Sequence, residues 1–287
     1  MNRILIVVIT FTSTALAAHA GNPMMLGRPC SLSHRSSLEK VDHSVFDYLL
    51  HKYVDERCLV NYTAWHASAA DMRALDGYLA AIGCVDLRAP ATQNAKLAYW
   101  LNVYNAVTLR GILHFYPTTS IKQHVSKLGG FNIWKDLLIW VDGQLYSLDD
   151  IEHKILRKMG EPRIHFGAVC ASRGCPPLRN EAYTAANVIA SLNHNAQLFF
   201  SQPSNFRADA EHGVVYISEL LKWYGTDFAP TPVEQIRKLR PFFPDPASLA
   251  WIDSPGLKVK YLRYDWRLND QHPVPPTLFE RMQFWRR

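Results

Sequence analysis

One helical segment constrains the fold of this 287-residue chain more than any other. From Leu97 to Val107 nearly every residue is apolar or aromatic, so a helix there has no polar face. A helix that is apolar all round is buried on all sides. With 48% hydrophobic residues the chain can supply such a core, and this composition excludes disordered, collagen-like and coiled-coil proteins.

Two amides interrupt this apolar helix. Asn102 and Asn105 are three residues apart, so both side chains point the same way from the helix. A buried amide without partners costs about 1–3 kcal/mol, so each must form hydrogen bonds. We expect them to hold loops or neighbouring backbone. The alternative is that one of them orients a catalytic histidine or binds substrate.

The order of predicted elements indicates the fold class. Apolar spacing predicts helices first, then an Asp142-Gly143 hairpin, and mostly strands later, without a regular βαβ rhythm. This order predicts an α+β fold in which a mainly helical first half packs on a small, mostly antiparallel sheet. The predicted helices cover residues 38–55, 64–82, 94–115, 147–159 and 184–200, and the predicted strands cover residues 137–141, 144–146, 163–170, 214–217 and 257–262.

The N-terminus has the pattern of an export signal. Arg3 precedes an apolar run over residues 4–17, and Ala18-His19-Ala20 has the form of a signal-peptidase site. We expect a signal peptide over residues 1–20, a loose arm over 21–37 and a single α+β domain over 38–287. The apolar run is shorter than the roughly 20 residues that a spanning helix needs. The sequence therefore predicts an exported protein, periplasmic or secreted, with no membrane span in the mature chain.

Charge and motif content narrow the possible partners. The formal charge is +6, from 31 Lys and Arg against 25 Asp and Glu, and the basic residues are spread along the chain, so we expect no nucleic-acid partner. The sequence contains neither CxxC nor HExxH. No paired Cys and His spacing resembles a structural zinc site, so the sequence specifies no metal site, although one is possible, and we assign no cofactor.

A capped helix supplies the first candidate site residues. Ser147 begins a capping box that leads into a helix carrying Glu152 and His153. Asp149 and His153 are four residues apart on that helix. Either Glu152 or His153 faces inward as an acid, base or orienting group, or the segment is a solvated acidic first turn.

Two cysteines supply the second set. A predicted strand over residues 163–170 ends at Cys170, and the loop after it presents Cys175. Strict alternation along that strand places His165 and Cys170 on opposite faces, whereas Cys175 escapes this constraint. Nearby arginines favour a reactive thiolate. The C-x4-C spacing equally allows a Cys170–Cys175 disulfide in an exported protein.

These segments together resemble the domain-of-unknown-function 547 family, of the exported bacterial type. The resemblance covers roughly residues 41–269 and brings no established catalytic residue. It is carried by Leu97-Ala98-Tyr99-Trp100-Leu101-Asn102-Val103-Tyr104-Asn105-Ala106, Ser147-Leu148-Asp149-Asp150-Ile151-Glu152-His153, Arg163-Ile164-His165-Phe166 through Cys170 to Cys175-Pro176-Pro177-Leu178, Asn180-Glu181-Ala182-Tyr183-Thr184 and Tyr261 to Asn269.

Two functions from different classes follow from these residues. In the first, the protein is a thiol-dependent hydrolase or transferase that acts on an envelope component or a peptide-like substrate. Its nucleophile would be Cys170 or Cys175, its general base His165 or His153, and its orienting group Asn102 or Glu152. In the second, the protein is a non-catalytic envelope binding module with a structural Cys170–Cys175 disulfide. Thiol–disulfide exchange is a third possibility, which the absence of CxxC disfavours.

Overall fold

A computed structural model describes residues 22–126, 130–273 and 275. The predicted signal peptide over residues 1–20 and the predicted new N-terminus Gly21 lie outside the described residues. Within the described ranges, no helix is both long enough and apolar enough to cross a membrane.

Helices dominate the first half of the described chain, and short strands follow. The α-helices are α1 (Ser44–Tyr53), α2 (Tyr62–Ala67), α3 (Ala69–Ile82), α4 (Gln93–Phe115), α5 (Ile133–Asp136), α6 (Val188–Ser201), α7 (Leu220–Tyr224) and α8 (Pro232–Leu239). The strands are β1 (Met24–Leu26), β2 (Leu137–Val141), β3 (Gln144–Ser147), β4 (Phe206–Asp209), β5 (Val214–Ser218) and β6 (Lys258–Leu262). Shorter helical turns, one of them a π-helix over Asp150–Ile155, connect these elements.

The central element is α4. The Thr92 hydroxyl caps it by accepting the Ala95 N–H, and every residue from Leu97 to Leu109 is buried. The helix contacts α2, α3, α6, β2 and the π-helix, so neighbours enclose it on several sides. The expectation from its all-round apolar sequence is confirmed.

The α+β class is confirmed, with two small sheets rather than one. In the first sheet β1 pairs parallel with β2, and β2 pairs antiparallel with β3. In the second, β4 pairs antiparallel with β5, and β5 pairs parallel with β6. The β2–β3 hairpin was predicted from the sequence, whereas β4 and its hairpin with β5 were not, and β1 and β6 pair with strands far away along the chain. Each sheet is therefore mixed.

Part of the segment predicted as a loose arm is joined to the domain. Besides the β1–β2 pairing, a disulfide joins Cys30 to Cys84, 54 residues away. The Arg35 guanidinium also forms an ion pair with Asp142 in the β2–β3 turn. These contacts hold residues 24–35 against α3 and the first sheet.

The buried residues form two hydrophobic clusters. The larger surrounds α4, and the smaller is rich in aromatic side chains, among them Phe166, Phe199 and Phe200. Cys170 and Trp266 are partly buried and pack against both clusters. The sulfur that the sequence singled out thus lies where the two clusters meet.

The predicted strand over residues 163–170 is wrong. Pro162–Phe166 is a short 3-10 helix, with Pro162 in its first turn and the Glu161 carboxylate accepting the Arg163 N–H as a cap. Proline and an N-terminal cap favour a helical start, and this local chemistry outweighs the β propensity of the apolar residues. Strand alternation therefore does not separate His165 from Cys170.

Candidate functional site

A cleft of about 290 Å³ lies at the junction of the two clusters. It collects five of the six candidate residues predicted from the sequence. They are Cys170, Cys175, His165, His153 and Glu152. Its other walls are mainly aromatic, contributed by Tyr104, Trp134, Trp223, Tyr224, Tyr264 and Trp266.

The loop that carries Cys170 is held from one side by Asn105. Asn105 Nδ2 donates to the Gly167 carbonyl over 2.9 Å, and Asn105 Oδ1 accepts the Val169 N–H over 2.9 Å. Ala171, directly after Cys170, has φ 59°, a left-handed conformation that is strained for a residue with a side chain. Strained backbone of this kind persists where the surroundings enforce it, commonly at functional sites.

The C-terminal segment holds the same loop from the other side. The Asn269 N–H donates to the Ala171 carbonyl over 3.0 Å. The Gly174 N–H donates to the Asp265 carbonyl over 2.8 Å, and an added Cβ at Gly174 would lie 2.8 Å from Asp265 N. Residues 170–175 are thus fixed between α4 and a strip of chain nearly 100 residues away.

Three groups that are able to donate hydrogen bonds surround the Cys170 sulfur, which is partly exposed in the cleft. Cys170 Sγ lies 3.0 Å from Cys175 Sγ, 3.1 Å from Ser172 Oγ and 3.3 Å from the Tyr264 hydroxyl. Hydrogen bonds from Cys175, Ser172 and Tyr264 to the ionised sulfur outweigh burial and lower the pKa of Cys170 to about 7. A large fraction of Cys170 is therefore a thiolate at neutral pH.

Cys175 has the opposite character. It is buried, and burial raises its pKa well above the usual value for a thiol. Its sulfur accepts the Cys170 N–H over 2.9 Å. Both residues are free thiols, and the Cys170–Cys175 disulfide considered from the sequence is not formed in this structure.

A charged network supports His165. His165 Nε2 lies 2.8 Å from Asp227 Oδ2, and Arg157 holds the same carboxylate with two hydrogen bonds of 2.7 and 2.6 Å. The imidazole stacks on the Tyr224 ring with 4.2 Å between centroids. His165 Nδ1 forms no hydrogen bond to any residue in the described ranges, and His165 is part of the cleft wall.

The electrostatics of this network favour a neutral imidazole beside an ionised carboxylate. Burial lowers the pKa of His165, although its hydrogen bond to Asp227 acts in the opposite direction. The hydrogen bonds from Arg157, together with that of His165, lower the pKa of Asp227 to about 2. A buried, neutral His165 oriented by Asp227 has the arrangement of a general base.

The π-helix presents Glu152 and His153. The predicted capping box is present, because the Ser147 hydroxyl accepts the Asp150 N–H and Asp150 Oδ2 accepts the Ser147 N–H. Glu152 Oε2 accepts the Tyr104 hydroxyl over 2.9 Å. His153 Nδ1 accepts from Arg157 over 3.1 Å, so its ring is tied to the network of Asp227. Single π-helical turns occur frequently at functional sites.

The structure does not bring Asn102 to the cleft. Its amide donates to the Tyr183 carbonyl over 2.8 Å and accepts the Tyr183 N–H over 2.9 Å. Asn102 and Asn105 are both buried, and each holds backbone of a neighbouring loop. The first interpretation of these amides is therefore the one observed, and Asn102 orients no histidine within the described chain.

Several groups in the site were not predicted as such. Asp227 stands in an unremarkable Thr-Asp-Phe sequence, with no local signal. Tyr264 lies inside the C-terminal motif, and Ser172 inside the cysteine loop, so position in a motif was the available clue for both. Asp227 contacts His165 from 62 residues away, and Tyr264 contacts Cys170 from 94 residues away. The role of Ser172 depends on the conformation of the cysteine loop.

No group of three His, Cys, Asp or Glu residues suited to a metal ion occurs among the described residues. Comparison with curated proteins and with solved structures finds no match. Residues 89–200 match the family model described as "Protein of unknown function, DUF547". That match supports the resemblance noted from the motifs, over the range that contains α4, Glu152, His165, Cys170 and Cys175.

Proposed function

We propose that the protein is a cysteine-dependent hydrolase or acyltransferase with Cys170 as its nucleophile. The observation that carries this proposal is the Cys170 sulfur, which lines a cleft and has three groups able to donate hydrogen bonds to its ionised form within 3.3 Å. A thiolate stabilised in this way is a strong nucleophile near neutral pH. Cys175 serves as one of the donors and is too buried to attack a substrate itself.

His165 is the general base in this proposal. It lines the same cleft as Cys170, its Nε2 is bound by Asp227, and its Nδ1 is left for a group in the cleft. His153 is the weaker candidate, because Arg157 occupies its Nδ1. Glu152 and Tyr104 then belong to the substrate-binding wall rather than to the base.

The reaction has two stages. Starting from the protonated thiol, His165 takes the Cys170 proton as Cys170 Sγ forms a bond to an acyl carbon. The bond from that carbon to the leaving nitrogen or oxygen then breaks, and the leaving atom takes the proton from His165. Water, or an acceptor amine or alcohol, then attacks the thioester and gives its proton to His165. The Cys170–acyl bond breaks, and the proton returns to the sulfur.

The proposed setting is the cell envelope or the exterior, with a peptide-like or other envelope acyl substrate. The signal-like first 20 residues support export, and the Cys30–Cys84 disulfide suits an oxidising compartment. The alternative is a non-catalytic envelope binding module. The free thiols at Cys170 and Cys175 weaken that alternative, since its structural disulfide is absent here.

The first test is alkylation with iodoacetamide from pH 5 to 9 without reductant, followed by peptide mapping. We expect Cys170 to be labelled with a midpoint near its pKa of about 7. Cys58 is an internal control, because burial raises its pKa and it should react only at higher pH. No labelling before reductant, together with a linked Cys170–Cys175 peptide, would instead support the binding module.

The second test separates the nucleophile from the base, with p-nitrophenyl acetate as a generic acyl donor. Cys170→Ala should abolish acylation of the protein. His165→Ala should slow turnover by about 100-fold or more, the usual range for a lost general base, while Cys170 still alkylates. His153→Ala is the matched control and should retain most turnover. Equal losses in the two histidine variants would overturn the role given to His165.

A further inference from the structure

The cleft around Cys170 contains a carboxylate that forms no direct ion pair. Glu152 lies on the cleft wall, where its carboxylate accepts a hydrogen bond from the neutral Tyr104 hydroxyl and also interacts with the Tyr224 hydroxyl. Within the described residues no Lys, Arg or His nitrogen lies within 4.0 Å of its carboxylate. Arg157 attracts Glu152 from beyond that distance, but its guanidinium is engaged by Asp227 in a bidentate pair. A partly buried carboxylate without a contacting counter-ion is costly, so its presence in a site favours a positively charged ligand.

Acidic side chains outnumber basic side chains of fixed charge on the lining of the cleft. Asp149 also lines the cleft, and the ionised Cys170 adds negative charge close to the same walls. Lys135 is the basic residue with a fixed charge on the described lining, and its side chain is exposed to solvent. Asp149 and Glu152 against Lys135 leave the lining with an excess of negative charge.

The aromatic wall is suited to a cation as well. Trp223, Tyr264 and Trp266 pack together with centroids 4.6 to 5.5 Å apart, and Trp223 is 40% exposed. The protein's own Lys122 ammonium lies 4.8 Å from the centre of the Trp266 ring. This wall thus already binds an ammonium group through cation–π attraction, independently of Glu152.

From these two observations we infer that the site selects acyl substrates that carry an ammonium group close to the reacting carbonyl. Glu152 would pair with the ammonium, and the Trp223–Tyr264–Trp266 wall would cover it. The inference rests on the proposed function, because it names the substrate class of the Cys170 site. The ammonium could belong to a free α-amino group or to a lysine side chain, which differ in the length of the arm that carries it.

The experiment compares alkylation rates of Cys170 by iodoacetamides that differ only in their tail. One carries an ammonium on a two-carbon arm, a second the same ammonium on a five-carbon arm, and a third a neutral hydroxyl on the two-carbon arm. We expect at least one ammonium reagent to react about fivefold faster than the hydroxyl reagent at low salt. The faster arm identifies the α-amino-like or lysine-like source. The preference should fall as the ionic strength rises.

Glu152→Gln keeps the size and the Tyr104 hydrogen bond but removes the charge, so it should abolish most of the ammonium preference. Glu211→Gln, on the exposed β4–β5 turn, makes the same change in net charge and should preserve the preference. A Cys170 that reacts with all three reagents at equal rates would overturn this inference and leave the proposed nucleophile intact. A Cys170 that reacts with none of them would overturn the proposed function itself.

Discussion

The sulfur of Cys175 lies 3.0 Å from that of Cys170, and the two thiols have opposite acidities. Burial raises the pKa of Cys175, which therefore keeps its proton, and its S–H donates a hydrogen bond to the Cys170 sulfur when that sulfur is ionised. In return, the Cys170 N–H donates to Cys175 Sγ. Cys175 thus acts as a positioning and donor residue, and a matched pair of variants can test this.

Replacing Cys175 with alanine should raise the pKa of Cys170 from about 7 toward the roughly 8.5 of an ordinary thiol, because the largest stabilising hydrogen bond is lost. Cys175→Ser keeps a hydrogen-bond donor and should retain more of the low value. The pH midpoint of iodoacetamide labelling of Cys170 measures this pKa in each variant. Equal midpoints in the wild type and Cys175→Ala would contradict the donor role.

Structural features that depend on a few neighbouring residues could be predicted from the sequence. Because α4 is apolar on all sides, its two amides were predicted to be buried and hydrogen-bonded. Asn102 and Asn105 are both buried, and both form hydrogen bonds. The Asp142-Gly143 pair demands positive φ at both residues, and the hairpin turn has φ 49° and 74°. In these cases a few neighbouring residues determine the outcome.

Features fixed by distant contacts could not be read in this way. Residues 163–170 look like a strand by composition, but Glu161 and Pro162 start a 3-10 helix there. The partner of His165 comes from 62 residues away, and that of Cys170 from 94 residues away. The residues next to Asp227 and Tyr264 in the sequence do not indicate these contacts, because the packing of the two hydrophobic clusters brings the distant segments together.

Replacing Asn105 or Asn102 with leucine should destabilise the fold by about 2–4 kcal/mol, because each change leaves a buried backbone N–H and carbonyl without a partner. Urea unfolding measures the loss. Asn180→Leu, at an exposed position, is the control and should change stability by about 0.5 kcal/mol or less.

The two amides should differ in their effect on the site. Asn105 holds the backbone on either side of Ala168, two residues before Cys170, whereas Asn102 holds Tyr183. Asn105→Leu should therefore also slow the alkylation of Cys170 under conditions where both variants are folded. Equal alkylation rates in the two variants would show that Asn105 stabilises the fold without positioning the sulfur.

Export gives a direct prediction about the N-terminus. If Ala18-His19-Ala20 is a signal-peptidase site, the protein recovered from outside the cytoplasm should begin at or near Gly21. N-terminal sequencing of the exported protein measures this. An intact Met1 on a membrane-embedded product would contradict both the cleavage site and the assignment of residues 1–20.

Asp227 should make the stability of the protein depend on pH in the acid range. Its folded-state pKa is about 2, mainly because of the hydrogen bonds from Arg157, whereas an unfolded aspartate titrates at about 3.9. A carboxyl group with a lowered folded-state pKa stabilises the fold above its unfolded pKa. That contribution is fully present above about pH 5 and is lost as the pH falls toward 2.

In the variant Asp227→Asn the side chain at this position cannot titrate. The unfolding free energy of the variant should therefore be lower than that of the wild type by a constant amount above about pH 5, and the difference should shrink between pH 4 and 2. Glu56→Gln, at an exposed acid, should show no such convergence. The variant also removes the carboxylate bond that raises the pKa of His165, so burial should keep that imidazole neutral to lower pH. Urea unfolding from pH 2 to 6 measures the first effect, and NMR titration of the His165 ring measures the second. A constant deficit down to pH 2 would show that Arg157 and His165 do not stabilise the Asp227 charge.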